Sequence, residues 1–185
     1  MDTSEKFIRT ASKLMETQGY HATGLNQIIA ESGAPRGSLY YHFPGGKEEL
    51  ASQVITRNGK TFARLIMENM QENIAPADSV REFIIGVAGG LEATGFQSGG
   101  PLTTIALETA NTSDRLNHVC REAYQAIQEA FSQKLHRLGI SEEDAPSLAE
   151  FIMIAIEGGI LLSRTRHSNE PLKRVANTMH EYLGY

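Results

Sequence analysis

The chain has 185 residues, 41% of them hydrophobic, one cysteine and a formal charge of −5. That composition suits a protein that buries a core, and the single Cys120 excludes an intrachain disulfide framework. No unbroken apolar run reaches the roughly 18 residues of a membrane span, and Met1 to Lys6 lacks the basic-then-apolar layout of a signal peptide, so no membrane partner and a cytoplasmic location are expected.

The first predicted helix runs from about Ser4 to Gln18. Phe7, Ile8, Ala11, Leu14 and Met15 make one apolar stripe, and Gly19 ends it. Lys6, Arg9 and Lys13 fall elsewhere on the helix and read as a solvated face.

Residues 23–47 read as two short helices joined by a tight turn. Thr23 is placed as an N-cap, its hydroxyl accepting a free N–H of the first turn. Leu25, Ile28 and Ile29 follow at helical spacing. Gly33 stands at a C′ position, where a left-handed backbone costs little, and Pro35 where a new helix begins. Leu39 and Phe43, four apart, give the second helix its buried edge.

At about 100° per residue, that edge puts Tyr41 on top, Gly37 and Ser38 on the upper flanks, and Tyr40 and His42 at the sides. Arg36 falls nearer the packed edge. Two tyrosines, a serine, a glycine and an imidazole are poor choices for a solvated face and suit one that touches a polyanion. Glycine admits close approach, and hydroxyls and ring N–H groups bond phosphates or base edges.

This stretch resembles the TetR family of bacterial transcriptional repressors. The resemblance rests on Thr23, Ile28, Gly33, Ala34, Arg36, Gly37, Ser38, Leu39, Tyr40, Tyr41, His42, Phe43, Lys47 and Leu50. The spacing from Phe43 to Lys47 is one residue longer than the usual pattern. That variant, with Gly24 to Ile28 and Gly33 to Pro35, is similar to the LmrA/YxaF-like subgroup. The resemblance implies that Arg36, Gly37, Ser38 and Tyr41 approach base edges, with Pro35 at the helix start. It assigns phosphates to Thr23, Tyr40, His42 and Lys47. Residues 1–50 hold five Lys/Arg and six Asp/Glu, so binding would rest on local placement and helix N-termini, not on a broad positive field.

A long helix is expected from Lys47 to about Asn73, with Leu50, Val54, Phe62, Leu65, Ile66 and Met70 buried. Glu48 and Glu49 suit the positive end of its dipole. Lys47 does not, unless a DNA phosphate stands nearby, as the resemblance implies. Gly59 interrupts this helix, for close packing or as a hinge. The next helix, from Pro76 and Asp78 to about Thr94, carries Val80, Phe83, Ile84, Val87 and Leu91. Gly86, Gly89 and Gly90 leave room on it for a neighbouring helix or a ligand. Gly95 to Pro101 is a loop, and Leu102 to Ala110 a short helix.

Leu116, Val119, Cys120, Ala123, Tyr124, Ile127, Phe131 and Leu135 line one face of a helix from Ser113 to Leu138. Ser141 and Asp144 resemble a capping box for the next helix, which is apolar nearly all round between Phe151 and Leu162. A last helix, Pro171 to Leu183, carries Leu172, Val175, Met179 and Leu183. The resemblance implies that these two helices form half of a four-helix homodimer interface, where Gly158 and Gly159 permit close crossing.

The expected fold is therefore all-α. An N-terminal three-helix helix-turn-helix DNA-binding domain (1–48) precedes an all-helical effector-binding and dimerisation domain (49–185). No Gly-rich phosphate loop follows a strand, the six histidines lack metal-ligand spacing, and no catalytic constellation has local support. No enzyme, metal or cofactor is expected. Cys120, on an apolar face, reads as an inert thiol.

The expected function is a dimeric ligand-responsive repressor of efflux or detoxification genes. Two readers would enter successive major grooves of a pseudo-palindromic operator about 34–36 Å apart. A small apolar or aromatic effector would enter among Phe62, Ile66, Val87, Leu91, Tyr124, Ile127, Phe131 and Met153, residues that are also core candidates. Glu157, among isoleucines, is paired, protonated, at the dimer seam or facing that pocket. The alternatives are a redox sensor through Cys120 and a helical enzyme or carrier with a vestigial reader.

Overall fold

A computed structural model describes residues 2–184, and among these the regular structure is helical throughout. The helices are α1 (Thr3–Gln18), α2 (Leu25–Ser32), α3 (Arg36–His42), α4 (Gly46–Asn69), α5 (Pro76–Ala93), α6 (Pro101–Thr109), α7 (Asp114–Arg137), α8 (Ala145–Arg166) and α9 (Glu170–Leu183). The all-α expectation holds, and α4 ends four residues earlier than its apolar period suggested. The chain packs as two compact units.

The first unit takes the chain up to Gly59 together with Gly100–Tyr124. It therefore contains α1–α3, the start of α4, α6 and the start of α7. The Asp2 carboxylate caps α1 by accepting the Thr3 N–H at 2.7 Å. Phe7, Ala11, Leu14 and Met15 are buried as their spacing predicts, and the Phe7 ring meets Phe43 edge-on, centroids 6.3 Å apart. Ile28 and Leu39 are wholly buried against them. Gly33 ends α2 at φ +63°, in the left-handed region that glycine tolerates.

Thr23 departs from expectation. Gly24, not Thr23, is the N-cap of α2. Thr23 is fully buried, and its hydroxyl donates to the Gly19 carbonyl at 2.7 Å. The Thr23 hydroxyl thus closes the turn after α1 instead of capping α2. Gly59 is a packing glycine: a Cβ there would stand 2.8 Å from the Ala123 Cβ.

The second unit takes Lys60–Gly99 and the chain from Gln125 onward. Phe83 meets Phe62 at 6.1 Å and Phe131 at 5.5 Å between centroids, both edge-on. Helix α5 packs on α9 and α8, and Arg81 and Asp78 reach Asn177 and His180 at 3.1 and 3.0 Å. Gly86, Gly89 and Gly90 meet nothing where a Cβ would stand and are exposed, so among the described residues no helix packs into the room they leave. Buried Lys134 donates to the Met70 carbonyl at the end of α4 and to Glu72, at 2.9 and 2.7 Å. Ser141 and Asp144 bond to each other, but they close a turn before α8, whose N-cap is Asp144 without a side-chain cap bond.

Gly159 lets α8 cross α9 closely, since a Cβ there would lie 2.7 Å from the Leu172 side chain. Gly158 faces open space. On the same outer side Phe151, Ile154, Leu161, Leu162 and Tyr182 are exposed. Among the described residues α8 alone is long and apolar enough to cross a membrane by length and composition, though Glu157 interrupts it. Most of α8 is left uncovered within the chain.

Candidate nucleic-acid interface

Helix α3 has one edge in the core and the other in solvent. Leu39 is fully buried, and Phe43, its C-cap, is nearly so. With that edge fixed, Tyr41 is 83% exposed and Tyr40 52%. Pro35, Arg36 and Gly37 are exposed around the helix start, and Ser38 and His42 are half-buried at its flanks. Arg36 is thus free in solvent, not turned toward the packed edge. An added Cβ at Gly37 meets nothing within 4 Å, so the backbone there is open to close approach. The His42 ring lies edge-on to Tyr41 at 5.1 Å, which orients both rings. One short helix therefore presents Pro35, Arg36, Gly37, Ser38, Tyr40, Tyr41 and His42 together.

Thr23 does not join this surface. Its side chain lies beneath it, bonded to Gly19, so it offers no hydroxyl to a phosphate. Lys47 stands half-buried at the start of α4. Its ammonium lies 4.3 Å from the centroid of the Tyr20 ring and donates to the His21 carbonyl at 3.3 Å. Burial lowers its pKa, and the charge of Glu108 opposes that shift. The helix start is otherwise acidic: the Glu49 carboxylate accepts the Gly45 N–H at 2.7 Å, and Glu48 accepts from the Ser113 hydroxyl. Lys47 is held there by a ring face and a carbonyl that the sequence alone did not reveal.

Residues 7–54, which carry most of α1, α2, α3 and the start of α4, match the bacterial regulatory protein family called tetR, and residues 76–178 match the C-terminal domain of LmrA/YxaF-like transcriptional regulators. The chain belongs to the TetR family. Its relatives include the HTH-type transcriptional regulator YxaF of Bacillus subtilis, 44% identical over 95% of this chain and 92% of that one. Another is LmrA of the same organism, 38% identical over 98% and 97%. The crystal structure of regulatory protein TetR from Rhodobacter sphaeroides shares the fold with a TM-score of 0.85 at 22% identity, covering 96% of this chain and 97% of that one. Like the transcriptional regulators it resembles, this TetR-family chain is a DNA-binding transcriptional regulator.

The residues expected to hold an effector are divided. Ile66, Leu91, Ile127 and Phe131 are buried core, while Phe62, Val87, Met153 and Glu157 keep partial exposure, all in the second unit. Tyr124 belongs to the first unit, its hydroxyl 3.1 Å from that of Thr103. A cleft of about 500 Å³ lies elsewhere, on the outer side of α8 and α9, lined by Phe151, Ala155, Arg174, Val175, Thr178, Met179 and Tyr182. None of the expected effector residues line it. Cys120 is buried, and burial raises its thiol to about 11.

Proposed function

We propose that this TetR-family regulator is a dimeric repressor that releases its operator when a small apolar or aromatic molecule binds. The observation that carries the reading is the exposed outer edge of α3, where Tyr41 stands at the apex and Gly37 leaves the backbone bare. Arg36, Gly37, Ser38 and Tyr41 would read base edges, with Pro35 at the helix start. Tyr40, His42 and Lys47 would hold phosphates. Thr23 is withdrawn from that set.

Dimerisation through α8 and α9 is supported by the uncovered apolar side of that pair, with Gly158 among its large side chains. A second copy of the chain would cover it and leave α8 as a soluble interface helix. The protein would then work in the cytoplasm on chromosomal DNA. Two readers related by a twofold axis would occupy half-sites about 34–36 Å apart.

The effector reading rests on the edge-on aromatic trio in the second unit and on the subgroup resemblance, which also points to efflux or detoxification genes. Phe62, Val87, Met153 and Glu157 are the members with surface left to offer a ligand. The ligand would favour a reader spacing that no longer fits the operator, since only differential affinity for two states shifts their balance. Glu157→Gln should change effector affinity and leave effector-free DNA binding intact. An unchanged effector titration would remove Glu157 from the pocket.

A further inference from the structure

The turn between α1 and α2 is gripped by side chains from distant parts of the first unit. The Glu108 carboxylate, near the end of α6, accepts the His21 N–H at 2.7 Å. The Glu108 backbone carbonyl lies 3.2 Å from the His21 ring Nε2. Lys47 holds the other side of the same residue, donating to the His21 carbonyl. Gly19 makes the grip possible. Its φ is +88°, and a Cβ built on it would fall 2.1 Å from the Glu108 Oε1. Any side chain there would force the carboxylate to shift, and the backbone itself favours glycine. The crook of the turn is therefore shaped around a carboxylate.

The other end of α6 is fastened in the same way. The Gly100 N–H at its N-cap donates to the Glu16 carboxylate of α1 at 2.7 Å. So α6 lies along α1 with a carboxylate bond at each end, one given by α1 and one by α6. The helix-turn-helix begins only four residues after His21, at Leu25. Both α2 and α3 pack on α1, so the turn leads directly into the helix-turn-helix.

We propose that Glu108 is a positioning residue for operator recognition. Seated in the crook at Gly19, its carboxylate fixes His21. Through the His21 carbonyl it fixes Lys47, the one basic side chain of the interface outside α3. It touches no DNA. This inference rests on the DNA-reading function proposed above.

The test begins with wild-type protein selecting an operator from a random-sequence duplex pool. Glu108→Ala, Glu108→Gln, Gly19→Ala and the Gly19→Ala/Glu108→Ala pair are then titrated on that operator at several salt concentrations. Circular dichroism checks folding, and hydrogen exchange follows the His21 amide. Glu108→Ala and Gly19→Ala should each speed His21 exchange and weaken binding about tenfold, as for a residue that modulates binding without touching the ligand. The double variant should be no worse than Gly19→Ala alone, because the backbone strain at Gly19 is common to both and the grip is already broken in each. The salt slope should fall by about one per subunit as Lys47 loses its place. Glu108→Gln, which keeps an acceptor, should retain most of the affinity. Wild-type affinity and slope in Glu108→Ala, or losses that multiply in the double variant, would overturn the inference alone. A wild-type protein that selects no sequence would overturn the repressor reading and this inference with it.

Discussion

Tyr41 is held out in solvent by a helix of seven residues whose opposite edge is Leu39 and Phe43. These two sides should fail differently when truncated. Leu39→Ala removes a fully buried side chain and should cost about 2–5 kcal/mol of stability, measured by denaturant melting. Tyr41→Ala should leave that melt unchanged and remove a base-edge contact worth about 1–3 kcal/mol of discrimination. Cys120 is the residue-scale test of redox sensing. Its thiol is raised to about 11, so only about one part in a thousand is thiolate at pH 8. Native protein should react with a thiol reagent far more slowly than unfolded protein, and Cys120→Ser should keep its effector response. Fast native labelling with loss of that response would restore the sensor reading.

At the scale of elements, the last turn of α4 shows how charge completes a fold. Lys134 is buried, and its ammonium holds the Met70 carbonyl and the Glu72 carboxylate. Lys134→Met should orphan that carbonyl and cost about 1–3 kcal/mol. The bond from Lys134, with Arg137 second, lowers the pKa of Glu72 from its ordinary 4.5. A depressed carboxyl contributes stability that is present above its unfolded value and lost as pH falls through its lower folded value. Denaturant melts of the wild type should therefore weaken below about pH 4.5, modestly because Glu72 is partly solvated, and Lys134→Met should lose part of that dependence. Helix by helix, the apolar periods of α1, α2 and α3 were legible because they are local. Leu14, Ile28 and Leu39 announce their burial by spacing alone. Thr23 was misread because its hydroxyl is claimed by a carbonyl in a turn whose path no period encodes. Glu108 was missed because its partner, His21, lies 87 residues away, and one carboxylate at the end of a short helix carries no signature of that. Lys134 and Glu72, 62 residues apart, were hidden for the same reason.

On the scale of the whole molecule, the outer edge of α3 and the apolar side of α8 and α9 are surfaces that the described residues leave uncovered. The second should close against another copy. Leu161→Glu, at a position 65% exposed in the single chain, should shift the sedimentation of the protein toward monomer while its helical content stays. An unchanged dimer would place the interface elsewhere. The first surface must work without a positive field, since the chain carries −5 overall and residues 1–50 are no better than balanced. Few phosphates are then neutralised per subunit, and the dependence of binding on salt should be modest.

The most direct test is fluorescence anisotropy of the purified protein on DNA from upstream of its own and neighbouring genes, against scrambled DNA, at two salt concentrations. Saturable, sequence-selective binding with a shallow salt slope, whose selectivity Tyr41→Ala cuts by the roughly 5- to 150-fold that 1–3 kcal/mol represents, is the predicted result. Equal weak binding to both DNAs that Tyr41→Ala leaves untouched would contradict the assignment of α3 as the reading surface.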